Sequence, residues 1–162
     1  MKSAERRDAM NASRGVPCQV LTFSLGTEEF GVDILSVREI RGWTPVTRIP
    51  QAPAGVLGVL DLRGRIVPIV DLHVRLNLAP VEFTPLTVII VISHRTATGL
   101  REFGIVVDAV ADVVDLDASA IKPPPEWEGG GASNCIRGLG VKDARMLILL
   151  NVETLTVPSF IA

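Results

Sequence analysis

The chain has 162 residues, of which 48% are hydrophobic and 21% charged, so it is long enough for one globular domain with its own core. Its net charge is −2 and its pI about 5.7, which argues against the basic surface of a nucleic-acid-binding protein. The N-terminus is polar and does not suggest a signal peptide. The longest apolar run, Val88–Ile92, is too short for a membrane span. We therefore expect a cytoplasmic protein with reduced cysteines.

The first third of the chain predicts a tail followed by short strands. Residues 1–17 are polar and are predicted to be a disordered tail, and residues 18–158 are predicted to form the folded domain. The apolar runs Gln19–Leu25 and Phe30–Val32 predict a hairpin, and Asp33–Ser36 predicts a helical turn that leads into a strand. The prolines that follow, in residues 43–53, indicate an ordered loop rather than a helix.

The segment Gly58–Leu76 predicts a rigid hairpin at the centre of the chain. Two β-type apolar runs flank Arg63-Gly64-Arg65, and Gly64 provides the backbone freedom of a tight turn. Pro68 lacks an N–H group, so its strand is expected at an edge or a bulge. An arginine held at the tip, Arg63, is typical of a docking surface rather than of a catalytic centre.

The second half of the chain predicts further strands. Leu86–Ser93 is apolar without alternation, which indicates a strand buried on both faces, and Glu102–Val107 is predicted to pair back with it. Asp108–Asp117 fits a helical stripe or bent strands, and its valines favour strands. The remaining predictions are an irregular loop over 122–125 and 128–133, a hairpin from Cys135–Val141 and Arg145–Asn151, and a short helix at Val152–Leu155. Short strands separated by turns indicate small barrels or a sandwich.

No catalytic, metal or cofactor chemistry is recognisable. The glycine run at 129–131 lacks the context of a phosphate-binding loop. His73 and His94 have no ligand or catalytic spacing, so we expect surface positions for both. Four carboxylates of one segment alternate with valines and predict a solvated strand face rather than a calcium loop: Asp108, Asp112, Asp115 and Asp117. We expect no enzyme activity, no metal and no cofactor.

Five separated motifs, in order, resemble the CheW family, the coupling proteins of bacterial chemotaxis. They are Phe-Gly-Val-Asp-Ile-Leu-x-Val-x-Glu-Ile-Arg-Gly (30–42), Leu-x-Gly-Arg-Ile-Val-Pro-Ile-Val-Asp-Leu (62–72), Phe-Gly-Ile-Val-Val-Asp-x-Val-x-Asp-Val (103–113), Ile-Lys-Pro-x-Pro (121–125) and Gly-Leu-Gly…Arg-Met-Leu-Ile-Leu-Leu (138–150). The resemblance extends from about Val20 to Leu155.

The resemblance implies an all-β fold of two SH3-like five-stranded β-barrels packed side by side, with short helical turns. We expect the barrels at roughly 31–84 and 85–150, with strands near 19–30 shared between them. It also implies a non-enzymatic adaptor that couples the cytoplasmic tips of chemoreceptors to a CheA-type histidine kinase, with membrane contact only through the receptors. The residues that match the family's receptor-contacting positions are Val37, Glu39, Ile40, Arg63, Val110 and Val113.

Plain core packing is the competing interpretation for the three valines, and a solvated turn is the competing interpretation for Arg63. An alternative function is a CheW-like adaptor in a kinase pathway of surface motility or development. A small-barrel nucleic-acid binder is disfavoured by the acidic balance and by the few aromatic residues.

Three positions depart from the family pattern. Asp61 replaces an asparagine and is expected to attract Arg63, Ala109 replaces a glycine, and Pro158 is expected to shorten the C-terminal helix.

Overall fold

A computed structural model describes residues 17–80, 82–124 and 135–155. The ten strands are β1 (Pro17–Leu25), β2 (Glu28–Asp33), β3 (Val37–Gly42), β4 (Val56–Leu62), β5 (Arg65–Asp71), β6 (Val88–Thr96), β7 (Gly99–Val107), β8 (Ala109–Asp117), β9 (Ile136–Lys142) and β10 (Arg145–Leu150). Helical segments are one turn long: 3-10 turns at Ile34–Ser36 and Ala118–Ala120, and α-helices at Leu72–Arg75 and Val152–Leu155. The all-β prediction is confirmed. Residues 1–16 of the predicted tail, the glycine run and Pro158 lie outside the described residues, whereas Pro17, the last residue of the predicted tail, begins β1.

The strands form two five-stranded sheets with the same pairing pattern. Sheet A has the order β8-β1-β2-β10-β9, and sheet B has the order β3-β6-β7-β5-β4. In both sheets one pair, β2 with β10 or β5 with β7, is parallel and the others are antiparallel. An isolated bridge connects the two ends of each sheet, Lys122 with Leu139 in sheet A and Thr47 with Val59 in sheet B. Both sheets are therefore closed into small barrels.

Glycine permits this closure at the same place in both barrels. A Cβ atom on Gly58 would clash with the carbonyl oxygen of Thr47, and one on Gly138 would lie 2.7 Å from the carbonyl oxygen of Lys122. Each glycine directly precedes the bridged residue of its strand. A larger residue would push the two backbones apart and open the barrel.

The predicted division of the barrels at residues 84 and 85 is wrong. Sheet B is one continuous stretch from β3 to β7, whereas sheet A combines β1 and β2 with β8, β9 and β10. β6 joins sheet B because it pairs with β3 on one side and β7 on the other. Likewise, the strands near 19–30 belong to sheet A and are not shared.

The hydrophobic core has three clusters, and the alternation of side chains along β6 contributes to two of them. In β6, Ile89 and Val91 face the interior of barrel B, whereas Ile90 and Ile92 face a larger cluster between the two sheets. The prediction of a strand buried on both faces is therefore confirmed. We call this larger cluster the inter-sheet core; its fully buried members include Phe23, Phe103, Leu72, Ile105 and Leu155. Full burial of such side chains contributes about 1.5–3 kcal/mol each.

Most local predictions from the sequence are confirmed. The 3-10 turn at Ile34–Ser36 leads into β3, and the segment after Asp108 is the strand β8. Pro68 differs from its prediction, because β5 is an inner strand of sheet B. The pairing of β5 with β7 begins only at Ile69, so the missing N–H group of Pro68 faces no partner strand on that side.

The predicted surface position of His73 is also wrong. Its side chain is only 4% exposed, with Nδ1 3.4 Å from Asp71 Oδ1 and Nε2 3.1 Å from Asp108 Oδ1. Asp108 Oδ2 accepts a hydrogen bond of 2.7 Å from the backbone N–H of Gly26, in the β1–β2 turn. Since Gly26 connects two strands of sheet A and His73 follows β5 of sheet B, Asp108 ties the two sheets together. His94 is half-buried, and its ring is nearly perpendicular to that of Phe103, with 5.9 Å between the ring centroids.

Candidate functional site

Five of the six predicted receptor-contacting residues lie on β3 and β8, which are end strands of their sheets. Val37 and Ile40 lie opposite Ile92 and Ile90 of β6. Val110 and Val113 occupy the same positions on β8, opposite Phe23 and Leu21 of β1. In both strands two residues lie between the members of the pair and face one residue of the neighbouring strand, which is a β-bulge. The two sequence motifs therefore form equivalent bulged strands in the two sheets.

The bulge divides each pair into a buried and an exposed member. Val37 and Val110 are partly buried and pack against the inter-sheet core. Ile40 is 44% exposed and Val113 is 47% exposed. Core packing therefore accounts for much of the first two side chains, whereas the second two present apolar surface to solvent.

The acidic residues beside these pairs have different surroundings. Glu39 precedes Ile40 and its carboxylate lies 3.9 Å from the guanidinium of Arg41. Asp112 is the equivalent residue on β8, and its Oδ1 accepts a 2.7 Å hydrogen bond from the hydroxyl of Thr22. Glu39 and Arg63 form no ion pair with each other within 4.0 Å.

Arg63 lies at the tip of the β4–β5 hairpin, as predicted. Leu62 pairs with Arg65, so the turn consists of Arg63 and Gly64, with φ values of 57° and 87°. Two central residues with positive φ define a type I′ turn, whose twist matches that of the flanking strands. The exposed guanidinium of Arg63 has no ion pair within 4.0 Å in the part of the chain that the structure describes.

The expected attraction of Arg63 by Asp61 is wrong. The Oδ1 atom of Asp61 accepts a 2.8 Å hydrogen bond from the backbone N–H of Gly64. An asparagine carbonyl has the same acceptor, so the substitution of asparagine by aspartate preserves this bond to the turn. The guanidinium of Arg63 consequently remains available for an intermolecular partner.

Sequence reasoning missed Thr22, which is fully buried in β1 and contacts the bulge in β8. The available signal was a hydroxyl in the apolar run Val20–Leu25, since a buried polar group requires a hydrogen-bond partner. The identity of that partner depends on the pairing of β1 with a strand about 90 residues later, which no local pattern encodes.

The described residues contain no cluster of three histidine, cysteine, aspartate or glutamate side chains that could hold a metal ion. In the same residues, no helix is long and apolar enough to cross a membrane. The expectations of no metal and no cofactor remain predictions.

Comparisons with known proteins agree with this architecture. Residues 19–157 match the family described as the CheW-like domain. The "Chemotaxis protein CheW" of Klebsiella aerogenes is 46% identical, covering 89% of this chain and 84% of its own length. The "Probable chemotaxis protein CheW" of Rhizobium etli is 42% identical, with coverage of 85% and 86%.

A solved structure extends the similarity to the fold. The crystal structure of the scaffolding protein TtCheW from Thermoanaerobacter tengcongensis has a TM-score of 0.75 and 29% sequence identity, covering 85% of this chain and 86% of that one. Since the family match covers most of the sequence and the relatives cover most of their own length, the chain belongs to the CheW family of chemotaxis scaffold proteins.

Proposed function

We propose that this protein is a non-enzymatic adaptor that couples the cytoplasmic tips of chemoreceptors to the regulatory domain of a CheA-type histidine kinase. Family membership supports the role in chemotaxis. The observation that carries the receptor contact is the exposure of one apolar side chain at the same bulged position of both barrels, Ile40 on β3 and Val113 on β8.

The proposed receptor surface combines apolar and charged groups. Ile40 and Val113 supply exposed aliphatic side chains. Val37 and Val110 supply partly buried side chains that also pack against the inter-sheet core. An amphipathic helix places an apolar stripe on such a surface, with its polar residues at the rim. Glu39 and Arg63, the remaining predicted contacts, supply charges of opposite sign for polar residues of the receptor helix.

The availability of Arg63 supports its assignment to this surface. A guanidinium with no ion pair among the described residues loses no internal contact when it binds a receptor carboxylate. Its short type I′ turn also limits the backbone entropy lost on binding. In this proposal the protein works in the cytoplasm and reaches the membrane through its receptors.

The test is a titration of the purified protein with receptor-tip bundles and, separately, with the kinase regulatory domain. We expect Val113→Glu to weaken receptor binding by about tenfold or more, because a charge then faces an apolar helix stripe. The matched control is Val141→Glu, which changes an exposed valine (56%) on β9 of the same sheet and should alter receptor binding less than about twofold.

Two results would contradict the proposal. If the wild-type protein binds neither the receptor-tip bundles nor the kinase regulatory domain, the adaptor function is rejected. Equal effects of Val113→Glu and Val141→Glu on receptor binding would instead reject the location of the receptor surface.

A further inference from the structure

Thr22 is a buried hydroxyl that contacts one residue of the neighbouring strand at three points. Its Oγ1 atom lies 2.7 Å from the carboxylate Oδ1 of Asp112, 3.0 Å from the Asp112 carbonyl oxygen and 3.1 Å from the Asp112 backbone nitrogen. The hydroxyl accepts from the N–H group and donates to one of the two oxygens. Thr22 is 0% exposed, whereas Asp112 is at the surface.

These contacts lie at the bulge of β8. Leu21 pairs with Val113 and Phe23 pairs with Val110, so Thr22 alone faces the two residues Ala111 and Asp112. A bulge leaves backbone groups without their regular ladder partners. The hydroxyl of Thr22 accepts from the N–H group of Asp112 and donates to one oxygen of the same residue, and it thereby fixes the bulged backbone between the two valines.

The other barrel shows what the same position looks like without a hydroxyl. Val91 of β6 faces the equivalent bulge in β3, between Val37 and Ile40. Its side chain is buried in the interior of barrel B and has no hydrogen-bonding group. Hydrogen bonding from the facing side chain therefore supports the bulge in β8 and not the equivalent bulge in β3 of the proposed receptor surface.

We propose that Thr22 is a positioning residue that holds Val110 turned towards the inter-sheet core and Val113 turned towards the receptor. This inference rests on the proposed receptor function. Thr22 itself is fully buried and does not touch the receptor. It acts through the backbone of Asp112, the residue next to Val113.

Thr22→Val tests this role, because valine has nearly the shape of threonine and lacks the hydroxyl. We expect receptor-tip binding to weaken about fivefold, the amount that corresponds to one hydrogen bond. The affinity for the kinase regulatory domain should not change, and the Asp112 amide should exchange its hydrogen at least about tenfold faster. Thr22→Ser should restore both readouts.

Ser24→Ala is the matched control. It removes a hydroxyl from the same strand, and that hydroxyl lies at the longer distance of 3.5 Å from the Ala109 carbonyl oxygen. We expect wild-type receptor binding from this variant. If Thr22→Val fails to fold, hydrogen exchange of the Asp112 amide in the wild-type protein remains as the test: protection equal to that of neighbouring β8 ladder amides supports the positioning role, and exchange as fast as that of an exposed amide rejects it.

The outcomes separate this inference from the proposed function. If wild-type protein does not bind receptor tips, both fail. If the wild-type protein binds and Thr22→Val binds equally well, only the positioning role is rejected. A parallel loss of receptor and kinase binding in Thr22→Val would also reject it, because general destabilisation would then explain the effect.

Discussion

Arg63 has a backbone conformation that costs free energy. Among the described residues its side chain forms no ion pair, so no such contact offsets this cost. Its φ of 57° lies in the left-handed region, which disfavours an ordinary L-residue by about 1–2 kcal/mol. Asparagine adopts this region readily and is preferred in the first central position of type I′ turns. We therefore expect Arg63→Asn to raise the free energy of unfolding by about 0.5–1 kcal/mol. For a chain of this size the corresponding rise in Tm is about 1–4 °C.

The same substitution should weaken receptor binding about tenfold, since a charge-assisted hydrogen bond contributes about 1.5–3 kcal/mol. Urea unfolding gives the stability, and titration with receptor-tip bundles gives the affinity. A fall in stability would show that the guanidinium has an internal role. Higher stability with unchanged receptor affinity would remove Arg63 from the receptor surface. Opposite changes in the two measurements would identify the strained turn as a feature retained for binding.

Two further substitutions test the hairpin and the contact between the sheets. Ala144 has a φ of 65° in the turn of the β9–β10 hairpin. Ala144→Gly should therefore raise the urea midpoint by an amount equivalent to about 0.5–1 kcal/mol. A lower midpoint would contradict the assigned backbone strain. Asp108→Ala removes the charged acceptor of the Gly26 N–H group and the carboxylate that lies 3.1 Å from His73 Nε2. The loss of the bond to Gly26 should lower the free energy of unfolding by about 1.5–3 kcal/mol, and an unchanged value would show that Asp108 does not tie the sheets together.

Local features of the sequence predicted most of the individual elements. Gly64 between two β-type runs identified the central hairpin, and the spacing of apolar residues after Asp33 identified the 3-10 turn. The valines of Asp108–Asp117 favoured a strand correctly, because β-branched side chains lose rotamer freedom in a helix. These predictions succeeded because turn geometry and strand propensity depend on neighbouring residues.

The long-range arrangement was not predictable from the same information. The parallel pairs β2–β10 and β5–β7 join strands that are distant in the sequence. Local patterns therefore do not indicate to which of the two sheets β6 belongs. For the same reason, nothing in the sequence near His73 indicated the carboxylate of Asp108. At the candidate site, the family resemblance identified Val37 and Val110, and only the pairing register showed that they are equivalent.

The route of the chain leads us to propose that the two barrels fold as one domain. β1 and β2 pair with strands from the last third of the chain, so sheet A forms only after all of sheet B has been synthesised. The inter-sheet core takes side chains from both sheets, Phe23 from one and Phe103 from the other, and each is fully buried by this arrangement. Separating the barrels would expose this core, so neither barrel has a stable state alone. We expect one cooperative unfolding transition, with the slowest hydrogen exchange of β7 and of β10 giving the same free energy. A distinctly lower value for β10 would show that sheet A opens first, since sheet B is continuous in the chain and keeps its own interior cluster around Ile69.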